Sequence, residues 1–285
     1  MSEHQIDDPL FDYKIYRFGQ TQQIFRGPQP DLRGRYLCFI GGSSTFGRYT
    51  DTPYCDLVGR ESGQTVLNLG TDGAGPGFFV ADHEVLRAAM DAELTVVQAM
   101  CATATSNRMF SVRPRRNLRL HAVSDLLAGI YPEVDFSRFG FVKPMLRHLH
   151  GVDPSRYKLV SNEMKNAWIG RMQTLLSTLE SKTLLFYLSE RDPDNQAPPD
   201  GDVTAMKYPQ YVDRAMLDAV RPAADGYAEC VTSVGLPQDL RVDGRPVLFR
   251  PSGDPINENT EFASPEMHAA AARALMPEIT RLINL

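Results

Sequence analysis

The chain has 285 residues, of which 42% are hydrophobic and 23% charged, with a formal net charge of -5. That length suits one large α/β unit with a sizeable core better than two ordinary domains, and the mixed polarity excludes a disordered or fibrous chain. The acidic balance argues against a general nucleic-acid binder, which needs a basic surface to neutralise phosphates.

Residues 1–34 place aromatic side chains in a Gly- and Pro-punctuated context without helical period, and read as an extended leader on a single domain spanning 1–285. Their polar, acidic start lacks the basic and then apolar pattern of a secretory signal. No run approaches the roughly 18 apolar residues that span a bilayer, so a cytoplasmic protein without membrane contact is expected. YLCFI at 36–40 is the first buried strand, TVLNL at 65–69 the second, LTVVQAM at 94–100 the third and TLLFYL at 183–188 the fourth, with VLF at 247–249 a weaker fifth. Continuous apolar runs of this kind suit parallel strands covered on both faces. Helical patterns occupy 53–63, 78–92, 159–181, 211–224 and 264–283. The alternation predicts βαβ units and a three-layer α/β/α fold, doubly wound around a mainly parallel five-stranded sheet of flavodoxin-like type.

Residues 101–157 break that rhythm with an Arg-rich stretch and an aromatic segment, and read as an insertion. Residues 189–202 read as a polar surface loop. Cys38, Cys55, Cys101 and Cys230 show no CxxC or metal-ligand spacing, so neither disulfides nor a metal site is expected, and His83, His148 and His150 do not change that.

Ligands of an open α/β sheet bind outside the carboxyl ends of its strands. GGSSTFG at 41–47 puts Ser43 and Ser44 where the first strand turns into a helix, as a nucleophile turn or simply as a helix cap. It lacks the GK[ST] ending of a phosphate loop. NLGTDGAGPG at 68–77 follows the second strand and could aim the Gly73 N–H at an oxyanion, or could be a plain turn before a helix. It is not GxGxxG, and no cofactor is expected. Asn107, beyond the third strand, carries an amide that could donate to the same oxyanion, and His268 at the start of the last helix could be a general base.

Together these loops resemble the SGNH (GDSL-type) hydrolases, whose first block GDSxTxG is similar in place and spacing to Gly41 through Gly47. The resemblance implies Ser43 as nucleophile, the Ser43 amide, Gly73 and Asn107 as oxyanion donors, and His268 as base. Gly42 stands where that family has Asp, and Pro265 where it has the acid that orients the imidazole, leaving Glu266 or Asp254 as substitute acids. A closer resemblance, through FRGPQPDLRGRYLCFIGGSSTFGRYTDTPY, NLGTDGAGPGFF and SNRMFSVRPRRNLR, is to a bacterial family described as a domain of unknown function, DUF6473.

Arg108, Arg113, Arg115 and Arg116 follow the third-strand loop and suit recognition of a carboxylate, phosphate or sulfate, against the plainer reading of solvated arginines paired with acids such as Asp125 or Glu133. The expectation is a serine esterase or acyl hydrolase acting on an acylated, anionic carbohydrate or small ester. A silent domain binding an anionic glycan or protein partner is the alternative, and an acyltransferase a weaker one.

Overall fold

The computed structural model describes residues 9–21, 23–113, 116–195, 207–250 and 252–284. Five strands form the central sheet: β1 (Tyr36–Ile40), β2 (Thr65–Asn68), β3 (Leu94–Gln98), β4 (Lys182–Ser189) and β5 (Gly226–Val231). They lie in the order β2-β1-β3-β4-β5, and every pairing is parallel. The chain leaves β1 toward β2 and then crosses to β3 on the other side, which opens a crevice at the carboxyl ends of β1 and β3.

Alternation along each strand feeds two cores. Leu37 and Phe39 of β1, with Leu184 and Phe186 of β4, pack against the helices α2 (Tyr54–Ser62) and α9 (Pro265–Ile283). Cys38 and Ile40, with Leu185 and Tyr187, face the opposite core, where Trp168 of α7 (Pro154–Thr178) is wholly buried. The expected fold class, a doubly wound three-layer α/β/α sheet, is the one observed.

The fifth strand is Gly226–Val231, not 247–249. As an edge strand it pairs only with β4 and buries Ala228 and Cys230 alone, so it lacks the continuous apolar run of the inner strands. Phe249 is 57% exposed and makes only an isolated bridge to Pro255. The pattern at 78–92 splits into two helices, Pro76–Val80 and His83–Met90, because the Asp82 carboxylate accepts the Val85 N–H and starts a new one. The segment read as an insertion holds a hairpin of Phe110–Arg113 with Arg116–Val123, followed by the helices Asp125–Ile130 and Val142–Val152, and α7 begins inside it at Pro154. Residues 1–8 of the expected leader and 196–202 of the expected loop lie outside the described residues.

Within the leader, Tyr16–Arg17 pairs with Ile24–Phe25 in antiparallel fashion, and Phe25 is fully buried. The buried guanidinium of Arg26 donates to the carbonyls of Gly47 and Asp51, at 2.6 Å each, and lies 5.1 Å from the Tyr13 ring centroid. It thereby ties the leader to the turn that follows β1. Replacing Arg26 by Met leaves those carbonyls without their charged donor, and a loss of about 2–4 kcal/mol in urea denaturation is expected. A change under about 0.5 kcal/mol would show the anchor to be dispensable.

Candidate active site

The turn after β1 carries a four-residue helix, Ser43–Phe46, closed by Gly47 in the left-handed region at φ 79°. The loop after β2 presses against it so closely that a Cβ on Gly70 would sit 2.2 Å from the Phe46 nitrogen. That contact brings Asp72 to Ser43: the Ser43 hydroxyl donates to Asp72 Oδ1. Arg48 Nη1 donates to Asp72 Oδ2 at 3.0 Å, and its guanidinium lies 4.9 Å from the Tyr49 ring centroid and 4.6 Å from that of Phe262. The carboxylate is 12% exposed, so hydroxyl, acid and cation form a partly screened row at the sheet's carboxyl edge.

Beside Ser43 lies a narrow cavity of about 30 Å³ with Gly73, Ala74, Ala99, Met100, Ala104 and Leu118 among its walls. It has room for about two waters, or for a small apolar group. Gly73 adopts φ +68°, a conformation that side chains resist, which turns its backbone into the cavity wall. Ser43, as first residue of its helix, has a backbone N–H with no intrahelical acceptor.

Gln98, at the end of β3, lines the same cavity. Its Oε1 accepts the Gly42 N–H at 3.1 Å and the Thr45 hydroxyl at 2.7 Å. The amide nitrogen then has no acceptor among the described residues and is free to donate. Sequence reasoning missed Asp72, Arg48 and Gln98. Asp72 directly precedes Gly73 in a loop already singled out, and Arg48 directly follows Gly47; adjacency was the available signal.

His268 does not meet Ser43. It is wholly buried between α9 and α2, stacked on Tyr54 at 5.8 Å, and its Nδ1 accepts the Tyr54 N–H at 3.1 Å. Nε2 has no partner among the described residues, and burial, with a smaller contribution from the charge of Arg26, pushes the imidazole down to about 3. A ring sealed in the core, out of contact with Ser43 and with its basicity lowered by burial, cannot serve as base for a serine in the cavity. It acts instead as a buttress: the Tyr54 hydroxyl bonds Thr45 Oγ1 at 2.7 Å, and Thr45 bonds Gln98 beneath the serine turn.

The other expected site residues also lie elsewhere. Asn107 Oδ1 accepts the N–H groups of Met109 and Phe110 and its Nδ2 donates to the Thr105 carbonyl, so the amide caps the turn into the hairpin and does not line the cavity. Glu266 is exposed, close to Gly235, and Asp254 is exposed and accepts the Ser252 hydroxyl; neither bonds His268. Arg108 is paired with Glu163 of α7, which satisfies its charge through an acid other than Asp125 or Glu133. Arg115 lies outside the described residues, as does the side chain of Arg116, and neither Arg108 nor Arg113 lines the serine cavity. Ser43 and Gly73 are thus brought together, and the remainder of the expected set is dispersed. No group of three His, Cys, Asp or Glu among the described residues could hold a metal ion, and no helix there is long and apolar enough to cross a membrane.

The family described as Domain of unknown function (DUF6473) matches residues 1–283. An acetylxylan esterase from Geobacillus stearothermophilus is similar in structure, with 12% identity, 88% of this chain and 95% of that chain covered, and a TM-score of 0.42. A carbohydrate esterase family 2 enzyme from Myceliophthora fergusii, which carries a carbohydrate-binding domain, shows 11% identity over 91% of this chain and 69% of that one, with a TM-score of 0.42. A family two carbohydrate esterase from Cellvibrio japonicus shows 13% identity, 92% and 65% coverage, and a TM-score of 0.37. No curated protein matches.

Proposed function

The chain belongs to the DUF6473 family, a domain of unknown function, and from the geometry of its own site we propose that it is a serine-dependent hydrolase of small acyl esters. The observation that carries this reading is the Ser43 hydroxyl donating to a carboxylate that Arg48 holds in place, beside a cavity sized for a small group. A nucleophile bonded to a base, with a third group orienting the base, is the general pattern of activated serine chemistry.

In the proposed reaction Ser43 Oγ attacks the ester carbonyl while its proton passes to Asp72. The developing oxyanion takes hydrogen bonds from the Ser43 and Gly73 N–H groups and from the Gln98 amide. Collapse breaks the bond to the alcohol, which leaves with the proton from Asp72, and water then hydrolyses the acyl-enzyme by the same route. The apolar walls at Ala74, Ala99 and Ala104 suit the methyl of an acetyl group. An acylated carbohydrate is the first alcohol partner to try, on grounds of fold analogy alone.

Intact-mass spectrometry after fluorophosphonate treatment tests the reading. One adduct on the wild type and none on Ser43→Ala is the expected result; an unlabelled folded wild type would count against an activated serine.

One observation favours a second reading, a catalytically silent domain: among the described residues no imidazole lines the Ser43 cavity, and the histidine placed by the resemblance is sealed in the core.

A further inference from the structure

The hairpin strand Arg116–Val123 shows different faces to different surroundings. Leu118 reaches over Gly73 at the serine cavity. Arg119, the next residue, lines a second cleft of about 440 Å³ together with His121, Arg113, Phe136 and Phe139. That volume lies within the range of ordinary small-ligand sites, about 300–1,000 Å³.

Among the described residues, no carboxylate lines this cleft. Glu133 of the same insertion is paired with Arg156, and Asp135, at the cleft's edge, accepts the N–H and hydroxyl of the lining residue Ser137. Arg119 has no ion-pair partner among the described residues; its guanidinium lies 4.8 Å from the Phe141 ring centroid, and that ring is 45% exposed. An arginine held over an aromatic ring is positioned to take a planar anion in two parallel hydrogen bonds. Phe136 and Phe139 are half-buried and supply apolar surface within the same cleft.

We propose that this cleft, formed by Arg113, Arg119 and His121 facing Phe136 and Phe139, binds an anionic saccharide that carries a carboxylate or sulfate. Arg119 and His121 take the acid group, and the phenyl rings pack against the C–H face of the sugar. A net charge of -5 on the whole chain disfavours a polyphosphate or nucleic acid, whereas a saccharide brings about one acid group per ring. The proposal goes beyond the hydrolase reading and stands whether or not Ser43 is reactive, because the two cavities have no lining residue in common.

The test is calorimetric titration of the full chain carrying Ser43→Ala with trigalacturonate and, separately, a sulfated heparin disaccharide, using maltotriose and AMP as controls. Binding of at least one acidic saccharide is expected, with no binding of maltotriose. Arg119→Gln should weaken it about 10-fold, the worth of one charge-assisted hydrogen bond, and should flatten its dependence on salt. The fold of that variant is checked by circular dichroism, with Arg119→Lys as a second, milder change. Failure of both acidic saccharides to bind, unchanged affinity in the Arg119 variants, or AMP binding as tightly as the saccharides would overturn the proposal. Loss of esterase activity in Ser43→Ala bears only on the hydrolase reading, so the two can fail separately.

Discussion

Ser43→Ala is expected to lower acetyl-ester turnover by at least about 10³-fold while moving stability by no more than about 0.5 kcal/mol. The side chain is half-buried at the wall of a cavity, and its hydroxyl bonds only Asp72 among the described residues, so little packing is lost with it. Asp72→Asn keeps the shape but removes the proton acceptor, and a fall of about 10²–10⁴-fold in kcat with a smaller change in KM is expected. The two substitutions act on one step, so the double variant should be hardly worse than Ser43→Ala alone. Steady-state kinetics on an acetyl ester decides this. Turnover in Asp72→Asn equal to the wild type would remove Asp72 from the mechanism, and turnover surviving in Ser43→Ala would remove the serine.

The second large effect concerns stability rather than catalysis. His268 is neutral in the folded protein down to about 3, and in the unfolded chain it takes a proton near its ordinary value of about 6.5. The unfolded state therefore binds the extra proton between those two values, so stability is fully present above about pH 6.5 and falls as the pH drops below it. At about 1.4 kcal/mol per unit, acidification from pH 7.5 to 4.5 should remove about 2–3 kcal/mol through this residue alone. His268→Asn keeps an acceptor near the Tyr54 N–H and loses the titration. It should cost about 1–3 kcal/mol at pH 7.5 through lost volume, and its stability should decline less steeply with acid. Urea denaturation of both proteins across that range checks the slope. Identical slopes would mean that the imidazole is not what makes the native state acid-sensitive.

The stabilising role of His268 also accounts for a misleading signal. A late histidine near the sheet edge fits the general base of the resembling hydrolases, yet it sits on the buried stripe of α9 with Met267, Ala271, Ala272, Leu275 and Ile279. That i, i+3, i+4, i+7 spacing is visible in the sequence and marks a core position. Asn107 misled in a related way, since an Asn three residues before a strand is as well suited to closing a turn through its own backbone as to reaching a ligand.

The layered α/β architecture is legible in the order of the amino acids alone. Four strands, most helices and the two glycine-rich loops at the sheet's carboxyl edge follow from apolar periodicity and turn chemistry, which are one-dimensional properties. The edge strand β5 escaped that logic because a strand with one neighbour needs fewer apolar residues. Which polar groups meet is set by the packing of loops and helices in three dimensions. Ser43 and Asp72 are 29 residues apart and His268 and Tyr54 are 214 apart, and their hydrogen bonds depend on how loops and helices pack to within a fraction of an ångström. Burial of an apolar face tolerates small shifts in that packing; a hydrogen bond does not, because its energy falls steeply with distance and angle.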